Sequence, residues 1–285
     1  MSPGGSEFKS RGGLLLASAI GLSAGMTATM FYSLGALILP LEAEFGWSRG
    51  DISLAVTIMT VAIFLTGSVA GRLCDRFGAA AVGAGSLVGY AAAVAIMVAT
   101  LSRIEELWAA YFIIAVIGVG STPIVLVRPI AAAFERRRGL ALGIALTGAG
   151  LAGFWVPQLV AGVTESHGWR SAYLALAAVA VMAAPIVWFG FRSVPEGTVA
   201  KNAVEAQGME VAEARRMPVY WVLTAMSFAM ASGIAGVVVH LVPLFRDLGS
   251  RGRCGRRPGT RPRTIRTAEL GGRWRQSPIR ELVPS

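Results

Sequence analysis

Long uncharged apolar runs alternate along this chain with short charged clusters, and that alternation limits its fold more than any other feature. A bilayer core of ~30 Å takes about 20 apolar residues at 1.5 Å rise each. Seven stretches reach that length, at 13–39, 52–71, 79–101, 107–134, 139–163, 170–191 and 217–245. Peptide groups in lipid must bond within their own segment, so these runs are expected as helices. Composition agrees: 54% of residues are hydrophobic and 15% charged, against roughly 25% charged in a water-soluble domain. A soluble core could not hide that much apolar surface. The expected class is an all-α polytopic membrane protein.

Orientation follows from the loops. With a cytoplasmic N-terminus (residues 1–12), the inner loops hold Lys9, Arg11, Arg72, Arg76, Arg136, Arg137, Arg138, Arg192, Lys201, Arg215 and Arg216. The outer loops hold Arg49, Arg103, Arg170 and Arg246. Basic residues concentrate on the cytoplasmic side, so the N-terminus is expected inside, in a plasma (inner) membrane. The charge-free run from Gly12 to Leu41 is too long for a signal-peptide core and reads as a retained first span. Cys74 and Cys254 provide neither a disulfide framework nor a metal spacing, and Cys74 reads as a free thiol.

The net charge of +10 points to nucleic acid only until it is divided. Residues 1–250 hold 16 Lys plus Arg against 14 Asp plus Glu, whereas residues 251–285 hold ten Arg against two Glu. The basicity belongs to the tail, and no nucleic-acid partner is expected for the body. Residues 192–216 form a polar, Glu-rich cytoplasmic linker between a six-helix unit (13–191) and the seventh span. Six helices, a long cytoplasmic linker and further helices is a transporter-like layout. The Gly-x-x-x-Gly pairs Gly21/Gly25, Gly67/Gly71, Gly85/Gly89 and Gly139/Gly143 are expected to let helix backbones approach closely.

The turn after the second span reads Gly71-Arg72-Leu73-Cys74-Asp75-Arg76-Phe77-Gly78. Gly71 and Gly78 permit a sharply turned backbone. Asp75 and Arg76 can pair with each other, with helix ends or with charges on facing helices. This turn resembles the G-x-L-x-D-R-x-G loop between helices two and three of the major facilitator superfamily. Three further stretches resemble its monocarboxylate-transporter and oxalate/formate-antiporter-like branch. They are Glu44-Phe45-Gly46-Trp47-Ser48-Arg49, then 134–143 continuing through Gly148, Gly150, Gly153 and Pro157, then His167-Gly168-Trp169-Arg170. The resemblance covers about residues 13–250. It implies one six-helix half of a twelve-helix carrier, gradient-driven alternating access, and a small organic anion (a monocarboxylate or dicarboxylate) as solute. Protons are the coupling ion to test. The first span lacks the acidic Asp-Gly pair of proton-coupled monocarboxylate carriers, which argues against lactate–proton symport.

The same resemblance implies that helices one, four and seven line a central cavity, and those spans hold the conspicuous polar groups. Arg128 is the one basic residue well inside a span. A charge there faces a bundle interior or an aqueous cavity, and its guanidinium fork suits a carboxylate. Yet Arg128 lies only ~9 Å along its helix from the cytoplasmic end. It therefore reads also as the partner of Asp75 in a gate, or as a snorkelling side chain. His240 in the seventh span can titrate near neutral pH, touch substrate or serve as a hydrogen-bonded structural residue. Tyr32, Thr27, Tyr111, Thr122 and Gln158 are secondary cavity candidates or helix–helix hydrogen-bond partners. No catalytic set, metal-ligand spacing, cofactor signature or Walker-type loop is present, so neither an enzyme nor an ATP-driven pump is expected.

From Arg251 the chain turns into an Arg/Gly/Pro-rich tail that reads as disordered. Seven arginines between Arg246 and Arg263 would follow an odd number of spans, against the positive-inside rule. Three readings address this. One is a truncated or frameshifted transporter, which leaves 217–245 as the first helix of an incomplete second half. Such a chain is expected to transport little unless two copies associate or a C-terminal half is supplied. Another is a membrane anchor with a basic lipid- or nucleic-acid-binding tail. The third is a seven-helix receptor or sensor, which leaves the Asp75 motif unexplained.

Overall fold

The structure, a computed structural model, describes residues 3–134 and 137–192, together with 213, 216–226, 229, 230 and 233. All of these belong to one compact unit, Met1–Phe245. The described residues are helical with no strand, as the apolar runs require, and the protein is an all-α polytopic membrane protein.

The first span is two helices, α1 (Pro3–Ala24) and α2 (Met26–Phe45). Gly25 between them is extended at φ −63, ψ 151 and interrupts the i→i+4 ladder. α2 stops at Gly46, whose φ of 71 lets its N–H reach back to Glu42 O at 2.9 Å. Ser48 then caps α3 (Arg49–Thr100), its Oγ accepting from the Asp51 N–H.

Helix α3 has 52 residues, about 78 Å if straight and far more than one bilayer crossing takes. It folds back at Gly78 (φ 81, ψ 154), and Ala70 and Cys74 of its first arm share a buried cluster with Val82 of its second. Helix α7 (Arg138–Arg192) repeats the arrangement, with Gly168 (φ 81, ψ 166) as its turn. Two spans expected on either side of each glycine are thus joined by a one-residue reversal that only glycine adopts without strain.

The fourth span is broken as well. α4 (Ile104–Gly118) runs into a 3-10 turn (Val119–Ser121), followed by the short α5 (Pro123–Leu126) and α6 (Arg128–Ala133). Pro123 and Pro129 lack the N–H groups that a continuous ladder needs, and each stands at the start of a new helical piece.

The broken first and fourth spans hold the centre, and the arms of α3 and α7 surround them. Gly148 lies directly against the backbone of Ala19, and Gly190 against Ala17, so both arms of α7 embrace α1. Gly21 sits under Val187, and a Cβ there would fall 2.7 Å from Val187 Cγ2. The expectation for the Gly-x-x-x-Gly pairs is met unevenly. Gly21/Gly25 is tightly covered, whereas nothing lies within 4 Å of a Cβ at Gly85, Gly139 or Gly143. A glycine pair permits close approach but does not supply a partner, and the side of α7 holding Gly139 and Gly143 has none among the described residues.

Beyond Arg192, the described parts of the seventh stretch are helical over 218–226 with exposed side chains, Trp221 and Met226 among them. Residues 227, 228, 231, 232 and 234–245, most of the linker, Glu135, Arg136 and the tail at 251–285 lie outside the described residues.

Candidate functional site

Three polar assemblies stand out, one at each end of the bundle and one between.

At one end of the bundle, the first arm of α3 delivers Gly71, Cys74 and Asp75 to the turn at Gly78. Arg128 opens α6 beside them. Its Nη1 donates to Asp75 Oδ1 at 2.6 Å and to Gly71 O at 3.2 Å. A guanidinium at a helix N-terminus opposes the helix dipole, and the Asp75 carboxylate offsets this. The Asp75 side chain is 66% exposed and Arg128 34%, so the pair is a weak tie. The Cys74 thiol is buried against the same guanidinium. Arg76 stacks its guanidinium 5.1 Å from the Phe77 ring and takes no part in the pair. Of the three readings open for Arg128, the structure shows its pairing with Asp75. The breaks in the fourth span place Arg128 at the start of its own short helix rather than along a continuous one.

Between the two ends, the breaks in the first and fourth spans face each other. The Met26 N–H donates to Ser121 Oγ at 3.0 Å, and Ser121 Oγ donates to Gly118 O at 2.7 Å. Tyr90 from α3 donates to Ala24 O at 2.7 Å and lies 3.2 Å from Thr29 Oγ1. Thr29 Oγ1 in turn donates to Gly25 O at 3.0 Å. Gly118 and Gly25 make room for this, since a Cβ at Gly118 would meet Met26 at 2.9 Å and one at Gly25 the Ser121 carbonyl. Thr27 Oγ1 is buried with no hydrogen-bond partner.

At the opposite end, Glu44 accepts from Trp169 Nε1 at 2.5 Å and from Arg170 Nη1 at 2.7 Å. Phe45 stacks on Trp47 with centroids 4.2 Å apart, and also meets Trp169 edge-on at 5.9 Å. Arg170 lies 4.3 Å over the Trp169 ring. The Trp169 indole N–H holds the Glu44 carboxyl below its usual range, helped by Arg170 and opposed by partial burial. Nearby, the Ser102 and Arg103 amides converge on Glu106 and lower its carboxyl too.

The remaining candidates scatter. Tyr111 bonds Tyr173 through the hydroxyls at 2.8 Å, deep in the bundle. Thr122 Oγ1 donates to Val119 O within its own turn, and Gln158 Nε2 to Phe154 O within its own helix. Tyr32 packs edge-on against Phe31 and faces Gly153. His240 lies outside the described residues. Sequence reasoning missed Tyr90, Ser121 and the Ser23–Trp155 bond (2.9 Å), because single polar residues in apolar runs carry no periodic signal. For Glu44 and Trp169 a signal existed. Each glycine-flanked aromatic stretch is conspicuous alone, and only folding joins them. Among the described residues no three His, Cys, Asp or Glu side chains gather as metal ligands.

Residues 20–252 match the family model described as Major Facilitator Superfamily. Monocarboxylate transporter 13 of Bos taurus is 31% identical over 116 residues, which is 41% of this chain and 26% of that protein. The chain thus spans about a quarter of the length of this curated relative. The crystal structure of tetrameric PepTSo2 superimposes with a TM-score of 0.49 at 15% identity, covering 86% of this chain and 51% of that one.

Proposed function

The chain belongs to the major facilitator superfamily of membrane transporters, and from that premise we propose that it carries a small organic anion, a monocarboxylate or dicarboxylate. The observation that carries this reading is the pair of broken central spans, which set polar groups at mid-depth in an otherwise apolar bundle. Irregular backbone inside a membrane is tolerated where it is buried in protein or lines a cavity, and transporters use it there. The 31%-identical stretch shared with a monocarboxylate transporter supports the anionic class.

In this proposal the solute moves down coupled gradients by alternating access, without covalent change, and protons are the first coupling ion to test. Residues 13–191 act as one half. The Asp75–Arg128 pair, flanked by Gly71 and Gly78, is the cytoplasmic latch. It is short enough to hold one state and exposed enough to release it. Arg76, Tyr32, Gln158 and His240 remain candidates for contact with solute or gate. The bias of basic loops supports an N-terminus in the cytoplasm and insertion in the plasma membrane.

The test is uptake of radiolabelled oxalate, lactate and succinate into proteoliposomes over a range of protein densities. The reading expects saturable, ATP-independent carboxylate accumulation. Accumulation of sugars or cations, with carboxylates no higher than in empty vesicles at every density, would overturn it.

A further inference from the structure

We propose that the adjoining ends of the first span and of α7 bind the headgroup of an anionic phospholipid, with the guanidinium groups of Arg11 and Arg192 holding its phosphate. This goes beyond the transport reading and stands apart from it, because it depends only on those two helix ends.

Charge is divided unequally between the two ends of the bundle. At the end holding Gly168, Arg49 is bound by Glu42 and Arg170 by Glu44. At the end holding Gly78, the side chains of Arg11, Arg72, Arg76, Arg137, Arg138 and Arg192 are exposed, and none has a carboxylate partner among the described residues. Asp75, at that same end, is already taken by Arg128. Arginines left without a carboxylate where spans leave the bilayer attract anionic lipid, and each adds to the attraction.

Two of these arginines are pinned on adjoining helix ends. Arg11 lies 5.9 Å over the Phe134 ring, and Arg192 lies 5.3 Å over the Trp188 ring. Contact through the guanidinium face leaves its in-plane N–H donors unused, in the fork that fits two oxygens of a phosphate. Gly190 lies against Ala17, and a Cβ there would also fall 3.6 Å from Gly13 O. Arg11 and Arg192 each stand two residues beyond that contact, ~3 Å of rise on either helix. A lipid, rather than free phosphate, follows from what precedes Arg192 on its own helix. Met182, Ile186 and Phe189 are exposed and line up with Arg192 at helical spacing. They form an apolar stripe ~15 Å long that ends at the charge. An acyl chain covers such a stripe, whereas a free anion leaves it bare. Trp188, half-buried beside it, is the kind of ring that settles at the level of lipid headgroups.

The test is photo-crosslinking of the full chain in phosphatidylcholine nanodiscs that contain a little phosphatidylglycerol with a diazirine in its acyl chain. Labelled peptides are located by mass spectrometry. Labelling within 182–192 that unlabelled phosphatidylglycerol competes away, and inorganic phosphate does not, is the expected result. Arg11→Gln combined with Arg192→Gln should reduce it about tenfold. The charge-matched combination of Arg72→Gln and Arg138→Gln should stay within about twofold of the unaltered chain. The ten arginines of residues 251–285 are common to every variant, and their labelling maps to separate peptides. Arg192→Gln alone, with a loss of about threefold, replaces the first combination if that form does not assemble. Equal losses in the two combinations would overturn the site in favour of diffuse attraction. Equal labelling by a phosphatidylcholine probe would overturn its anionic character. Competition by inorganic phosphate would assign the arginines to a free anion and overturn the lipid.

Discussion

The two ends of the bundle solve the same problem with different materials. Each joins two spans through a glycine with φ near 81°, Gly78 at the end proposed as inner and Gly168 at the end proposed as outer, and each sets one ion pair beside that glycine. The outer pair, Glu44–Arg170, is backed by Trp169, which is only 4% exposed, and by the Phe45–Trp47 stack. The inner pair, Asp75–Arg128, has no such aromatic backing among the described residues. Burial of rings is worth kilocalories, whereas an exposed ion pair is worth a fraction of one. The outer end is thus built to persist. The inner end is held by a contact that can be exchanged for others.

The largest expected effect tests the outer end. Trp169→Ala should lower the stability of the chain in detergent by about 3 kcal/mol, read from thermal unfolding, because it removes a buried ring and a charged hydrogen bond together. A loss below that of the inner-end variants would erase the distinction.

Next comes Glu44→Gln, which should cost about 1 kcal/mol at neutral pH after allowing for its partial exposure. The sign with pH is fixed by the lowered carboxyl. Stabilisation by Glu44 is complete above the ordinary value of 4.5 and is lost as pH falls through the lower folded value. The acid side of the stability profile should therefore flatten in Glu44→Gln. An unchanged acid limb would assign that dependence to other carboxyls.

The smallest effect on stability belongs to Asp75→Asn, below about 1 kcal/mol. Its signature lies elsewhere. Releasing Arg128 should uncover the Cys74 thiol, raising its maleimide labelling several-fold in a Cys254→Ser background. Labelling that does not change would show that Cys74 is shielded by packing rather than by the ion pair.

The spans themselves were legible because lipid demands long apolar runs and tolerates few charges. Six of the seven expected runs coincide with helices in the described residues. The Asp75–Arg128 pairing was also legible as one of three choices, since both residues fall near the same end of their spans. The break at Gly25 was not. A glycine four residues after Gly21 reads as a close-packing pair, and the uncharged run around it gives no reason to expect an extended residue. Only the approach of Ser121 and Tyr90, 95 and 66 residues from their partners, supplies that reason. Pro123 and Pro129 did announce breaks in the fourth span, but hydropathy alone runs straight across them. The Glu44–Trp169 contact joins residues 125 apart and exists only once the first span and α7 have packed.

The asymmetry between the two ends is tested most directly by comparing two buried thiols in the full chain without Cys254. One is the native Cys74, and the other is placed at Ala172, fully buried one turn after Trp169. The maleimide reaction rate of each is measured in nanodiscs, with and without Asp75→Asn. Faster labelling at Cys74, accelerated further by Asp75→Asn while position 172 stays slow, is the expected result. Equal rates, or an outer thiol that reacts first, would contradict it.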